Sequence, residues 1–318
     1  MEWYEIVGML VGIAVGIGCL TLLTSLLCFL KVFYMPTRKP LQDDEFDYPP
    51  GKVYEPFYEQ MTEWMKDLRS RPHEVVSVTS YDGLTLRGAY YEYAPDAIVE
   101  ILFHGYQGTS ERDLSGAIER CFALGRSVLL VDHRGSGKSD GHVLTFGAKE
   151  RKDCQTWVEF ATQKFGKERP LVVGGISMGG ATVLLAAGDG LPDNVVCVMA
   201  DCSYSSAKEV IKKVVREMRL PADMVYPFIK LGAKIFGGFN LDEAAPLEAV
   251  KHSKTPIVFI HGEADDYVPY EMSVRMHEVC SSPKKLVPIH GAGHGLAFPV
   301  NKQAYIQGLK DFQDECGF

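Results

Sequence analysis

The sequence predicts an α/β fold, a mostly parallel sheet with helices on both faces and a small helical cap, preceded by one transmembrane helix. Three observations predict it. Six short apolar runs alternate with helical segments from Ile98 onward, an interval of about fifty residues breaks that rhythm once, and no charged residue occurs between Ile6 and Leu30.

The uncharged stretch comes first. At ~1.5 Å per residue, its roughly 25 positions are enough to cross a ~30 Å hydrocarbon core. It begins after MEWYE, without the basic start or small-residue cleavage site of a signal peptide, so an uncleaved anchor over residues 1–35 is expected. Lys31, Arg38 and Lys39 follow it and Glu2 and Glu5 precede it, which puts the rest of the chain in the cytoplasm and leaves the opposite orientation open. Gly8, Gly12 and Gly16 recur every four residues on one face, a spacing that lets two such helices approach and self-associate.

Residues 36–72 follow as a linker and a pre-domain helix. MPTRKPLQDDEFDYPPG, rich in proline and charge, reads as an extended segment lifting the domain off the bilayer, and Val53 to Arg69 reads as helical. The main domain is expected over 73–318. It opens with EVVSVTS and LTLRGAYYEY around Asp82 and Gly83, an antiparallel hairpin. IVEILFHG, SVLLVDHRG, PLVVGGIS, VVCVMADCS, TPIVFIHG and KKLVPIHG are near-continuously apolar, as buried parallel strands are. Between the fourth and fifth of these runs, Ser205 to Arg219 and Ala222 to Phe236 read as two helices of a cap inserted at about 203–250.

With 46% apolar and 23% charged residues, the 318-residue chain has ordinary globular composition. A formal net charge of −8 gives no basic field for nucleic acid, which leaves a small-molecule or lipid-like partner. The eight cysteines show no C-x-x-C pair or zinc-like spacing, so no metal is expected, and their even number leaves disulfides open. Lys208, Lys212, Lys213, Arg216 and Arg219 fall on the first cap helix as a solvated face or a face for anionic lipid.

The chemistry concentrates in three strand ends. G-I-S-M-G, Gly175 to Gly179, lies between PLVVGG and ATVLLAAG, and a serine between two glycines at a strand-to-helix turn is a nucleophile elbow. A serine hydroxyl near neutral pH needs a base, and the base needs an acid to hold its tautomer. Downstream, I-H-G-E-A-D-D-Y-V-P supplies Asp265 and Asp266, and P-I-H-G-A-G-H-G supplies His290 and His294. Asp201, ending the strand after the nucleophile helix, is an alternative acid.

These motifs resemble the α/β-hydrolase superfamily, in particular its serine aminopeptidase S33-like and monoacylglycerol-lipase-like branch, from about Glu74 to the C-terminus. The resemblance implies Ser177 as nucleophile, Asp265 as acid through H-G-x-x-D-x-x-V-P, and His294 as base. It also implies an oxyanion hole from the Met178 and Tyr106 amides, the latter following F-H-G-Y-Q-G. D-H-R-G-S-G-K-S-D, Asp132 to Asp140, matches the family's structural loop. A phosphate loop would need glycine at position 132. The expected reaction is cofactor-free hydrolysis of an acyl bond, with a hydrophobic ester as substrate. A serine peptidase of the S33 or S9 kind is the alternative within enzymes, with Glu209, Glu217 and Asp223 as candidates to hold an amine. A catalytically silent membrane scaffold is the alternative outside them.

Overall fold

The computed structural model describes residues 2–37 and 41–318. Arg38 and Lys39, which the orientation reading counts, lie outside the described residues. Among the described residues eight strands form one sheet: β1 Glu74–Thr79, β2 Thr85–Tyr91, β3 Val99–Phe103, β4 Ser127–Val131, β5 Leu171–Ile176, β6 Val195–Asp201, β7 Ile257–Gly262 and β8 Lys284–Ile289. Their order is β1-β2-β4-β3-β5-β6-β7-β8. β2 runs antiparallel to β1 and β4, and every other pairing is parallel.

Alternate residues of each central strand feed two clusters, the signature of a sheet covered on both faces. Ile101, Phe103, Leu129 and Val131 pack with Trp157 of α5 (Glu150–Phe165) and Val183 of α6 (Met178–Asp189). Leu102, Val128 and Leu130 pack on the other side with Ile118 of α4 (Ala117–Ala123) and Phe312 of α12 (Lys302–Cys316). The short α3 (Ser110–Leu114) and α11 (Ala297–Val300) border the loops above the sheet, and α10 (Glu271–Val279) follows β7. Between β6 and β7 stand α7 (Ala207–Glu217), α8 (Ala222–Ile235) and the short α9 (Pro246–Ala249). All eight cysteines are free.

β3 departs from the apolar reading at one point. Glu100 is fully buried in it and is paired with Arg120 at 2.6 Å and Arg126 at 2.9 Å. The helix expected from Val53 is split. Lys52–Phe57 is a 3-10 turn, because Pro56 has no N–H to enter an α ladder, and α2 proper is Tyr58–Ser70.

Among the described residues α1 (Trp3–Val32, 30 residues) is the helix long and apolar enough to cross a bilayer. Its first two thirds are exposed all round, and a Cβ built at Gly8, Gly12 or Gly16 meets nothing within 4 Å. Its end is different. Phe29, Phe33 and Met35 are buried in the cluster that also holds cap residues Ile211, Tyr226 and Ile229. Met35 N donates to His142 O at 2.7 Å and Leu144 N to Phe33 O at 2.9 Å.

The segment expected to lift the domain away therefore does not do so. The helix docks directly. Beyond it, Phe46 and Tyr48 pack against α2, and Arg69 donates to the carbonyls of Asp43 and Glu45. Aromatic residues scattered among the charges supply the apolar contacts that hold the segment down.

Candidate active site

β5 ends in Gly175–Ile176 and α6 begins at Met178, so Ser177 occupies the turn alone, at φ 55° and ψ −113°. This is backbone that a non-glycine residue adopts only when its surroundings force it. The flanking glycines make it fit. A Cβ on Gly175 would lie 2.2 Å from Gly179 C, and one on Gly179 would lie 2.0 Å from Phe103 O. Ser177 N donates to Asp201 O at 2.8 Å, which ties the elbow to the neighbouring strand.

Three expected residues meet here. His294 Nε2 lies 2.9 Å from Ser177 Oγ, and His294 Nδ1 lies 2.7 Å from Asp265 Oδ2. With a carboxylate facing Nδ1, the proton sits on Nδ1, and Nε2 is left to accept from the serine hydroxyl. Asp265 follows β7 and its carboxylate is fully supplied with donors. Oδ1 accepts from Tyr267 N at 3.0 Å and Val268 N at 2.8 Å. Burial alone pushes this carboxyl up, but hydrogen bonds from His261 and His294 outweigh it and hold it at about 2.

His261 is a residue that the sequence reading passed over. It is fully buried, with Nε2 2.9 Å from Val268 O and 3.2 Å from Asp265 Oδ2, and Nδ1 2.7 Å from Ser273 Oγ. Two acceptors at Nε2 place the proton there, so His261 donates to the acid. The signal was present as the histidine of the H-G-x-x-D pattern. Tyr267 was also passed over; its ring stands 5.0 Å from that of His294.

The loop after β3 passes against the serine, since a Cβ on Gly105 would lie 3.6 Å from Ser177 Cβ. Tyr106 follows it, and Met178 opens α6, so the Met178 N–H has no intrahelical acceptor. Gly105 N is held by Asp113 Oδ2 at 3.0 Å. His104 Nε2 accepts from His133 N at 3.0 Å, which fixes its other nitrogen as the donor to Gly105 O at 2.7 Å. Burial, then His104, depress the His133 imidazole to about 3, so it stays neutral. Asp132 accepts from Ser110 N and Lys138 N, both at 2.9 Å, and its loop closes on itself as a turn. Tyr106 OH donates to Val32 O at 2.6 Å, which links this loop to the last turn of α1.

The other candidates lie elsewhere. His290 is exposed and bonds Glu263 at 3.0 Å, so it neither packs in the core nor joins the cluster. Asp201 accepts from Tyr305 OH at 2.8 Å, and burial pushes its carboxyl up. Its Oδ1 has no partner. Behind the elbow Asp201 lines a cavity of about 80 Å³ together with Arg120, whose Nη1 is also without a partner. Cys202, Asp265 and His294 bring ligand atoms within 4.8 Å of one another. They do not suit a metal, because Asp265 and His294 already bond each other and burial pushes the Cys202 thiol far from ionisation.

Compared with known proteins, residues 93–236 match the family model described as serine aminopeptidase, S33, and residues 228–306 match that described as serine hydrolase (FSH1). The uncharacterized protein YqkD of Bacillus subtilis is 31% identical over 192 residues, 60% of this chain and 63% of that protein, so the chain spans under two thirds of its length. An uncharacterized membrane protein of Saccharomyces cerevisiae is 27% identical over 196 residues, 61% of this chain and 63% of that one. The Pyrococcus furiosus esterase Pf2001 superposes with a TM-score of 0.64 at 21% identity, covering 89% of this chain and 98% of that chain, a likeness of fold.

Proposed function

We propose, for a chain that belongs to the α/β-hydrolase superfamily and is a serine hydrolase in kind, that it cleaves carboxylic esters of hydrophobic, lipid-like substrates by acyl transfer at Ser177. The observation that carries this is the unbroken line of hydrogen bonds from Ser177 Oγ through His294 to Asp265.

In this reading His294 Nε2 takes the hydroxyl proton as Oγ attacks the ester carbonyl. The new oxyanion is held by the N–H groups of Met178 and Tyr106, which need no reorganisation at that moment. His294 gives its proton to the leaving alcohol oxygen, and water then repeats the sequence on the acyl enzyme. Asp265 stays ionised throughout and stabilises the imidazolium.

The hydrophobic ester is favoured by what surrounds the serine. Met178 and Tyr106 pack in one apolar cluster with Phe146, Tyr204, Val268 and the cap. An amine-ended peptide is disfavoured, because Glu209, Glu217 and Asp223 are each engaged, with Arg275, Lys213 and Lys212 respectively. With Lys31, Arg38 and Lys39 after the helix, the catalytic domain faces the cytoplasm. Protease added to intact cells should leave it uncut, and cutting from outside would reverse that orientation.

The test is fluorophosphonate labelling of the full chain in detergent, with the modified residue mapped by mass spectrometry. Labelling at Ser177, lost in Ser177→Ala and His294→Ala, is expected, followed by ester hydrolysis that rises with acyl length. A folded chain that takes no label would overturn the hydrolytic reading.

A further inference from the structure

The last turn of an α-helix leaves its carbonyls without intrahelical donors. At the end of α1, the residue that a continued helix would bring to Val32 O is Pro36, which has no N–H to give. Val32 O is taken instead by the Tyr106 hydroxyl, 2.6 Å away, and that hydroxyl accepts in turn from Gln107 Nε2 at 3.0 Å. A helix end of partial negative charge suits a phenol that donates. α1 thus ends on the residue whose amide the proposed reaction needs at the oxyanion.

The turn that carries Tyr106 is strained. Gly108 N donates to Gly105 O at 3.2 Å, so residues 105–108 close one tight turn, with Gln107 in its third position at φ 53°. Turns give that left-handed position to glycine or asparagine, and a glutamine stays there only where its surroundings hold it. Three holds come from α3. Gly105 N donates to Asp113 Oδ2 at 3.0 Å, and Arg112 Nη1 donates to Gln107 O at 3.2 Å. Gly108 packs so tightly on Asp113 that a Cβ there would lie 2.0 Å from Oδ2. These fasten Gly105, Gln107 and Gly108. Tyr106 is fastened by Val32 O and by Phe146, whose ring is 5.1 Å from its own.

A clamp must be firmer than what it clamps. Phe33, next to Val32, is fully buried and meets the rings of Phe146 and Phe239 edge-on at 5.8 and 5.2 Å. Its carbonyl accepts from Leu144 N at 2.9 Å. Two turns earlier, α8 comes so close to α1 that a Cβ on Gly232 would stand 2.4 Å from Ser25 O, and the rings of Phe29 and Phe236 are 5.9 Å apart. The domain holds the end of α1 at several points, which makes Val32 O a fixed acceptor.

We propose that the last turn of α1 is a positioning element of the active site: Val32 O, through the Tyr106 hydroxyl, holds the 105–108 turn so that the Tyr106 N–H stays aimed at the oxyanion. The inference rests on the hydrolytic reading of Ser177. Its consequence is that movement of α1 against the domain changes the rate of attack at Ser177 while the hydrogen bonds joining Ser177, His294 and Asp265 stay intact.

The test compares the full chain in detergent with Tyr106→Phe, which keeps the ring against Phe146 and removes one hydroxyl. The readout is the rate at which a fluorophosphonate modifies Ser177, which does not depend on whether the substrate is an ester or an amide. Oγ bonds phosphorus, fluoride leaves and the hydroxyl proton passes to His294, with the phosphoryl oxygen in the oxyanion position. Per folded molecule, the rate should fall by about 10–100-fold, as a misplaced reacting group costs, with the melting temperature little changed. On a hydrolysed ester the same loss should appear in kcat with KM unchanged. p-Aminophenylalanine at position 106 keeps an N–H donor at the same place and should return the rate to near that of the parent. A rate unchanged in Tyr106→Phe, or a loss that p-aminophenylalanine does not repair, would overturn the inference and leave the hydrolytic reading standing. A folded parent that takes no label would overturn both.

Discussion

Glu100 and Asp265 are both carboxylates at the sheet with no exposed side-chain surface, yet they are held in opposite ways. Glu100 faces two guanidinium groups, Arg120 and Arg126, whose charges are permanent. Burial pushes its carboxyl up, and those two arginines pull it back below its usual range. Asp265 faces two backbone amides and two imidazoles, and no permanent cation. A charge already neutralised has nothing left to offer a reaction. One held by dipoles can still stabilise a cation that appears beside it, as His294 would become on taking a proton in the proposed reaction. The first arrangement suits stability, and the second suits the catalytic role proposed for Asp265.

Substitutions that separate the two functions test this contrast. Asp265→Asn keeps the shape and removes the charge. kcat on an ester should fall by about 10⁴-fold, with stability near neutral pH lowered by only about 2 kcal/mol. A large loss of stability with a small loss of kcat would reverse the assignment. Glu100→Gln leaves two buried guanidinium groups without their anion. Stability should fall by about 3–5 kcal/mol, read as a lowered denaturation midpoint, with kcat per folded molecule intact.

Acid provides a finer probe. The folded-state carboxyl of Asp265 lies near 2 against an ordinary value near 4, so its contribution of ~2 kcal/mol is present above pH 4 and lost as the pH falls toward 2. Denaturation midpoints between pH 5 and 2 should fall less steeply for Asp265→Asn than for the parent. The smallest effect is expected at His261. His261→Gln removes one of two imidazole donors to the acid and should lower kcat about tenfold with KM unchanged. A change in KM alone would make His261 part of the binding wall.

The same contrast explains what the sequence made legible. Asp265 was readable because the proposed reaction would require an acid at a strand end, in a fixed pattern with His261, Gly262 and the Val268-Pro269 pair. Ser177 and His294 were readable for the same reason. Glu100 sits inside IVEILF, and its partners come twenty and twenty-six residues later on separate elements, so only the folded chain brings them together. The end of α1 was illegible for a related reason. Leu20 is 66% exposed and Phe33 is 0% exposed, although both stand in or beside one apolar run. Hydrophobicity shows that such residues avoid water, and does not say whether lipid or protein receives them. Phe33→Ala, beside the edge-on rings of Phe146 and Phe239, should destabilise the full chain by about 3–5 kcal/mol, as loss of a core aromatic does. A cost near zero would mean that lipid had been its solvent.

The contact of Ser25 with Gly232 also sets an order of events at the ribosome. About 200 residues separate the two, so at ~5–20 residues per second an α1 that spans the membrane would enter the bilayer some 10–40 s before its partner helix exists. A bare serine hydroxyl would be costly to hold in hydrocarbon for that time. Ser25 Oγ donates to Thr21 O within the same helix, at 2.8 Å. Such a helix could thus wait in lipid with its polar group satisfied, and the later arrival of the cap would exchange acyl chains for protein on that face without breaking a hydrogen bond.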